Sequence, residues 1–400
     1  MKFSLATLAL CVFSQPSATA FTLHGHQKAI KPFAIPQNEA RPASSFSSTA
    51  ISATSLKPYL ETLIEGKDLS KEDTFAIFSQ LLKDDFDPIQ AGSLLLLLRQ
   101  KGETSTELAG MVNAMNSGCN AVNLKGTKLL DIVGTGGDGA DTINISTASV
   151  VLAAASGCIV AKAGNRSVSS ACGSADVLEA LGVKVDLSPS AVEKCVDKTG
   201  IAFMFAPINH PSMRFVAPVR KSLGLRSAFN ILGPMTNAAG AQRAVIGVFD
   251  DGLSGLMADT LMEVGRVDHA VVIHGCGLDE ISPLGASNIV EIKKKDDGTY
   301  DRKEYEFDPK DIGVERCTLE DLKGGDPEMN KNEFIKVLQG GTHNNAKRDS
   351  IVLNAGFGIY VYGNAPSVAE GCKIARETLE SGKASELLEE WIKSSNEVGE

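Results

Sequence analysis

A short apolar run, Leu129–Val133, opens directly into Gly134-Thr135-Gly136-Gly137-Asp138-Gly139, and a helix-like stretch, Thr147–Ala155, follows. Strand, glycine turn and helix in that order bring successive backbone N–H groups together at a helix N-terminus, where they converge on an anion. The alternation continues downstream. Short β-type runs lie at Ile159–Ala161, Val183–Leu187, Ala202–Ala206, Ala244–Phe249 and Ala270–Ile273, with a helix-like stretch at Ser174–Leu181. This pattern predicts an α/β fold with a mostly parallel central sheet, covered on both faces, whose ligands sit at the C-terminal strand ends. The charged segment 293–311 reads as an exposed hairpin or loop.

Before the glycine loop the texture is helical. Ser70-x-x-Asp73 and Thr104-x-x-Glu107 have capping-box spacing, and Asp87-Pro88 sets an N-cap beside a proline at the first helical position. Apolar residues follow at helical spacing: Phe75, Phe78, Leu81 and Leu82, then Ile89 and Leu94–Leu98. A bundle of about four helices is expected over 56–127, a scaffold or lid joined by helices from about 210–228, and a large α/β domain over 128–400. At 400 residues and 43% hydrophobic, the chain has material for two such domains.

Gly134, Gly136 and Gly139 also satisfy G-x-G-x-x-G, the dinucleotide fingerprint. That fingerprint needs an acid at the end of the second strand to hold ribose hydroxyls. Here the strand Ile159–Ala161 ends in Lys162, and the next acid is Asp176. Asp138 moreover places a carboxylate in the phosphate cradle, which calls for a cation between the two anions; for pyrophosphate this is ordinarily Mg²⁺. The loop therefore reads as a metal-assisted pyrophosphate site, the alternative being a glycine turn with no ligand.

Three other clusters fall where such a site needs them. Asp141-Thr142-Ile143-Asn144-Ile145-Ser146-Thr147 offers hydroxyls and an amide at a helix start, or plain N-capping by Ser146 or Thr147. Lys162-Ala163-Gly164-Asn165-Arg166 ends the second strand with two cations suited to phosphate, or forms an exposed basic loop. Asp279-Glu280 follows a strand and a glycine bend, suiting Mg²⁺ there or simply solvation. Arg220, with Arg226 six residues on, suits a substrate carboxylate, whereas His210 by spacing alone is a structural histidine.

Other classes are excluded. A net charge of −10 argues against a nucleic-acid partner. Eight cysteines without a C-x-x-C pair read as core residues in a reducing compartment, with no zinc site. No apolar run reaches the roughly 18 residues of a membrane span, so no membrane partner is expected for the mature form. Residues 1–20 read as a signal peptide ending in Ala18-Thr19-Ala20, and 21–55 as a transit-peptide-like segment rich in Ser, Ala and Pro. Together they resemble the bipartite plastid leaders of algae, where Phe begins the transit part; the alternative is secretion. With four basic residues and one acid in that leader, the mature chain is near −13 (−10 − 3).

GTGGD, DTINIST, KAGNR, SSACGSADVLEALG, FMFAPINHPSMRFVAPVRKSLGLRSAFNILGPMTN and GLDEISPLG occur in the order and rough spacing of anthranilate phosphoribosyltransferases. The chain resembles that family from about Leu56 to near its C-terminus, and its leader and SSACGSAD wording look closest to plant and algal members. The resemblance implies a nucleoside phosphorylase/phosphoribosyltransferase-like fold, usually homodimeric. It also implies transfer of the phosphoribosyl group of phosphoribosyl pyrophosphate (PRPP) to the amine of anthranilate, a step in tryptophan biosynthesis.

Carried over by motif, Gly134, Gly137, Asp138, Thr142, Asn144, Ser146, Thr147, Lys162 and Ser174 are the PRPP-binding residues. Gly134, Asn165, His210 and Arg220 line the anthranilate path; Ser146 ligates one Mg²⁺, and Asp279 and Glu280 another. No catalytic nucleophile is implied: Lys162, Asp279 and Glu280 with metal stabilise the transition state. Three positions depart from the commonest family wording. Ala163 stands where many members have His, Met235 replaces Leu, and Ala238 stands where Pro is common, which touches the acceptor side. The competing readings are a pyrimidine nucleoside phosphorylase using free phosphate, a nicotinamide-dependent oxidoreductase disfavoured by Lys162, and a silent binding protein.

Overall fold

The computed structural model describes residues 55–399 apart from 125, 168–169 and 341–344, so the leader, save its last residue, lies outside the described residues. Four helices come first: α1 (Lys57–Ile64), α2 (Lys71–Leu81), α3 (Pro88–Lys101) and α4 (Ser105–Ser117). The expected caps start them. The Ser70 hydroxyl accepts from the Asp73 N–H, the Asp87 carboxylate accepts from the N–H groups of Ile89 and Gln90, and Thr104 and Glu107 close a full capping box.

The α/β part continues with β1 (Leu130–Gly134), α5 (Ile145–Ala155), β2 (Val160–Gly164), α6 (Ser174–Leu181), α7 (Pro189–Thr199) and β3 (Ile201–Phe205). Next come α8 (Ala206–Asn209), α9 (Met213–Leu223), α10 (Phe229–Leu232), β4 (Arg243–Gly247), α11 (Gly252–Val264) and β5 (His269–His274). A hairpin of β6 (Ser287–Lys294) and β7 (Tyr300–Phe307) follows. The chain closes with α12 (Leu319–Leu322), α13 (Pro327–Leu338), α14 (Asn345–Tyr362), α15 (Val368–Glu380) and α16 (Lys383–Val398).

The seven strands form one sheet in the order β3-β2-β1-β4-β5-β6-β7, parallel through β5 and antiparallel at β6 and β7. Side chains alternate between two cores, as the pleat requires. Val245, Val271, Ile273 and Ile289 enter one core with α5 and α14, while Ala244, Ile246, Ala270, Val272, Val290 and Ile292 enter the other. That second core also contains Phe78, Leu94, Leu98, Leu108 and Met111 of the helical bundle, and Val216 and Val219 of α9. Bundle and sheet therefore share one apolar interior.

One expectation needs correction. Val183–Leu187 is not a strand. Val183, Val185 and Leu187 alternate inward and are buried, but the Lys184 N–H donates to the Ser395 hydroxyl of α16, so the segment is extended chain under helices with no ladder. The charged segment 293–311 holds the expected hairpin: it contains the end of β6 and all of β7, which pairs along its length with β6. Met235 and Ala238 are both buried core residues, packing on opposite faces of the sheet. Among the described residues all seven cysteines are free, and no helix is long and apolar enough to cross a membrane.

Candidate active site

The C-terminal ends of β1, β4 and β5 each carry a glycine, and all three are needed. The Asp279-Glu280 segment passes directly over them. A Cβ on Gly134 would lie 2.2 Å from Asp279 Oδ2, one on Gly247 would lie 1.5 Å from the Asp279 carbonyl oxygen, and one on Gly275 would lie 1.7 Å from the Glu280 carbonyl oxygen. The two acids thus sit at the mouth of the glycine loop, which itself turns through positive φ at Gly136, Gly137 and Gly139. The Gly136 N–H donates to Asp279 Oδ2 at 2.6 Å.

Across the loop, the Ser146 N–H at the start of α5 donates to Glu280 Oε1 at 3.0 Å. Neither Ser146 nor Thr147 is the N-cap; Asn144 holds that position without a side-chain cap, and the Glu280 carboxylate serves the free N–H. Thr147 donates its hydroxyl to the Ser174 hydroxyl at 3.0 Å. Asn144 donates to the Cys172 carbonyl at 3.0 Å and accepts from Asn330 of α13 at 2.9 Å. Thr142 is held by a bridge to Lys323.

Lys162 is 1% exposed, and its ammonium donates to the Ile132 carbonyl at 2.7 Å and to the Ser146 hydroxyl at 3.5 Å. Burial pushes its pKa down, against the pull of Asp131, Glu280 and Asp279. Asp131, buried beside it and held by Asn237 at 2.7 Å, is raised by burial to about 6. Burial and the neighbouring charge of Asp138 raise Asp279 to about 7, and burial with the charge of Asp279 lifts Glu280 well above the usual carboxylate range. Three acids face one cation, an imbalance that protons relieve at low pH and a hard cation relieves otherwise.

Among the described residues no three His, Cys, Asp or Glu side chains form a ready-made metal cage. Mg²⁺ is usually held by one or two carboxylates together with substrate phosphates, and Asp279 and Glu280 are adjacent carboxylates at the glycine loop. The donors here are all oxygen, and the acid pair already sits where a helix start and a glycine loop present N–H groups to an anion.

The residues expected on the acceptor side are more dispersed. Asn165 is exposed at the end of β2. Arg166 is ion-paired to α6: it donates to Glu179 Oε1 at 2.6 Å and to Asp176 Oδ1 at 3.2 Å. His210 shares a 2.8 Å hydrogen bond with the Thr236 carbonyl, and burial pushes its pKa down. Arg220 on α9 lies 5.3 Å from the centre of the Phe229 ring, half-buried, with no acidic partner among the described residues. Arg226 turns to the glycine loop, donating to the Gly137 carbonyl at 2.5 Å while stacking on Phe249 at 4.0 Å. Sequence reasoning missed Gly247, Gly275 and Asn354, whose amide grips Ile281 just after the acid pair. The available signals were a glycine ending each apolar strand run and a lone Asn in the apolar stretch 351–361.

The Glycosyl transferase family, helical bundle domain, matches residues 57–118, and the Glycosyl transferase family, a/b domain, matches residues 126–385. The anthranilate phosphoribosyltransferase of Methanosarcina acetivorans is 44% identical, covering 82% of this chain and 86% of its own. The crystal structure of the Thermus thermophilus enzyme of that name is similar with a TM-score of 0.79 at 40% identity, over 84% of this chain and 99% of that one. The Saccharomyces cerevisiae enzyme in complex with PRPP and Mg gives a TM-score of 0.77 at 27% identity, over 86% and 98% respectively. In sequence and in fold, the chain belongs to the anthranilate phosphoribosyltransferase family.

Proposed function

We infer that the chain transfers the phosphoribosyl group of PRPP to the amine of anthranilate, giving N-(5-phosphoribosyl)anthranilate and pyrophosphate. The observation that carries this reading is the Asp279-Glu280 pair folded over the glycine loop, with buried Lys162 beneath it. The glycine loop, Thr142, Asn144, Ser146, Thr147 and Ser174 receive the pyrophosphate and ribose phosphate. Lys162 supplies fixed positive charge to the leaving group, and Mg²⁺, when bound, neutralises developing pyrophosphate charge. Asp279 and Glu280 would hold one ion and Ser146 a second, making two.

Departure of pyrophosphate leaves positive charge on the ribose ring, so leaving-group stabilisation and amine positioning set the rate. The aniline nitrogen of anthranilate is neutral at pH 7 and needs no strong base. This suits a site built from a buried lysine and a pair of acids. Arg220, half-buried without an acidic partner, is suited to the anthranilate carboxylate, with Gly134, Asn165 and His210 along the acceptor path. The test is the double variant Asp279→Ala with Glu280→Ala, which lowers turnover and weakens Mg²⁺ dependence; an unchanged Mg²⁺ titration removes both acids from the role. The chain is further proposed to act as a homodimer in a plastid, delivered by its bipartite leader. A fluorescent fusion of residues 1–55 reaches the plastid on this account, and its retention in the secretory pathway overturns that part.

A further inference from the structure

We propose that Asn354 of α14 is a positioning residue for the reaction, holding the Asp279-Glu280 pair in place through the backbone of Ile281; this rests on the metal-binding role given to that pair above. The segment is fixed on one side by the glycines of three strand ends. On the other side its main chain is held by Asn354. Asn354 Oδ1 accepts from the Ile281 N–H at 3.2 Å, and Asn354 Nδ2 donates to the Ile281 carbonyl at 2.7 Å. One carboxamide thus satisfies both main-chain groups of a residue that has left the sheet, in the manner of a neighbouring strand.

The second Nδ2 proton goes to the Ser350 carbonyl at 2.8 Å, within the same helix, which fixes the amide's orientation. Asn354 and Ile281 are both buried, so water cannot replace these bonds. Aspartate keeps the acceptor and loses both donors, and alanine loses all three bonds. An orienting partner of this kind commonly governs metal affinity about 10–100-fold without touching the metal.

The test uses the full chain in three variants: Asn354→Ala, Asn354→Asp and, as an equally buried control on α16, Leu388→Ala. Amide hydrogen exchange without metal is read over residues 275–281, and the Mg²⁺ concentration for half-maximal activity is read beside the KM for anthranilate. The expected result is exchange faster by about tenfold or more over 275–281 and a Mg²⁺ midpoint raised about tenfold, with anthranilate KM unmoved and neither change in Leu388→Ala. If Asn354→Ala does not fold, Asn354→Asp carries the same comparison. Exchange and Mg²⁺ midpoint matching the control overturn the proposal while the Asp279→Ala, Glu280→Ala titration still shifts. If that double variant itself shows no shift, the metal reading fails, and this proposal with it.

Discussion

Gly247→Ala is the smallest change that attacks the site from outside its reacting groups. The added Cβ would lie 1.5 Å from the carbonyl oxygen and 2.3 Å from the carbonyl carbon of Asp279, where real Cβ contacts do not fall below 3.0 Å. The peptide must therefore retreat by at least 1.5 Å (3.0 − 1.5), because the opposing atoms are backbone and Gly247 is anchored in β4 between β1 and β5. A displacement of about 1 Å in a positioned group typically costs about 100-fold in rate. The expected kcat/KM loss is about 100-fold or more, accompanied by about 1–3 kcal/mol of destabilisation from overpacking.

The assay is Mg²⁺-dependent loss of anthranilate fluorescence with PRPP, run beside Gly92→Ala in α3. There the new methyl meets only Leu223 and Val219 carbons at 3.7 and 3.8 Å, so activity is expected to hold and the helix to gain about 0.5–1 kcal/mol. A Gly247→Ala enzyme within about threefold of the parent would refute the close-approach argument.

Arg220→Ala is expected to raise the KM for anthranilate about tenfold or more, the scale of one lost charge-assisted bond, and to leave the KM for PRPP in place. Movement of the PRPP constant instead would reassign Arg220. The acid cluster also sets a pH dependence. Asp279 at about 7 and Asp131 at about 6 bind protons more tightly in the folded chain than in the unfolded one, so metal-free stability falls as pH rises from near 4 through 7. Mg²⁺ competes with those protons. Its stabilising effect on thermal unfolding should therefore be larger at pH 8 than at pH 5.5, and an increment that does not vary with pH would contradict the assignment.

Much of this architecture is written locally. Caps at Ser70, Asp87 and Thr104 fix helix starts by short-range hydrogen bonds, and the β1–loop–α5 order places an anion site without knowledge of the rest of the fold. Periodicity reports burial, not pairing, which is why Val183–Leu187 alternates like a strand and is not one. The charge of segment 293–311 marks the hairpin, while β6 begins ahead of that segment and is revealed by its register with β5 and β7. The acids' partners are decided across long sequence separations. Gly247 and Asn354 meet Asp279 and Ile281 only once the sheet is assembled, and nothing in a local window marks them beyond their residue type. Arg166 likewise reads as a phosphate ligand until α6 places Asp176 and Glu179 beside it.

The proposed reaction moves a phosphoribosyl group from PRPP to anthranilate with Mg²⁺. The direct measurement is anthranilate fluorescence on the purified chain from Leu56 onward, with PRPP and Mg²⁺ each omitted in turn and pyrophosphate release followed in parallel. The expected result is loss of anthranilate that requires both, with one pyrophosphate released for each anthranilate consumed. No loss with both present, or anthranilate consumption without pyrophosphate, would contradict it.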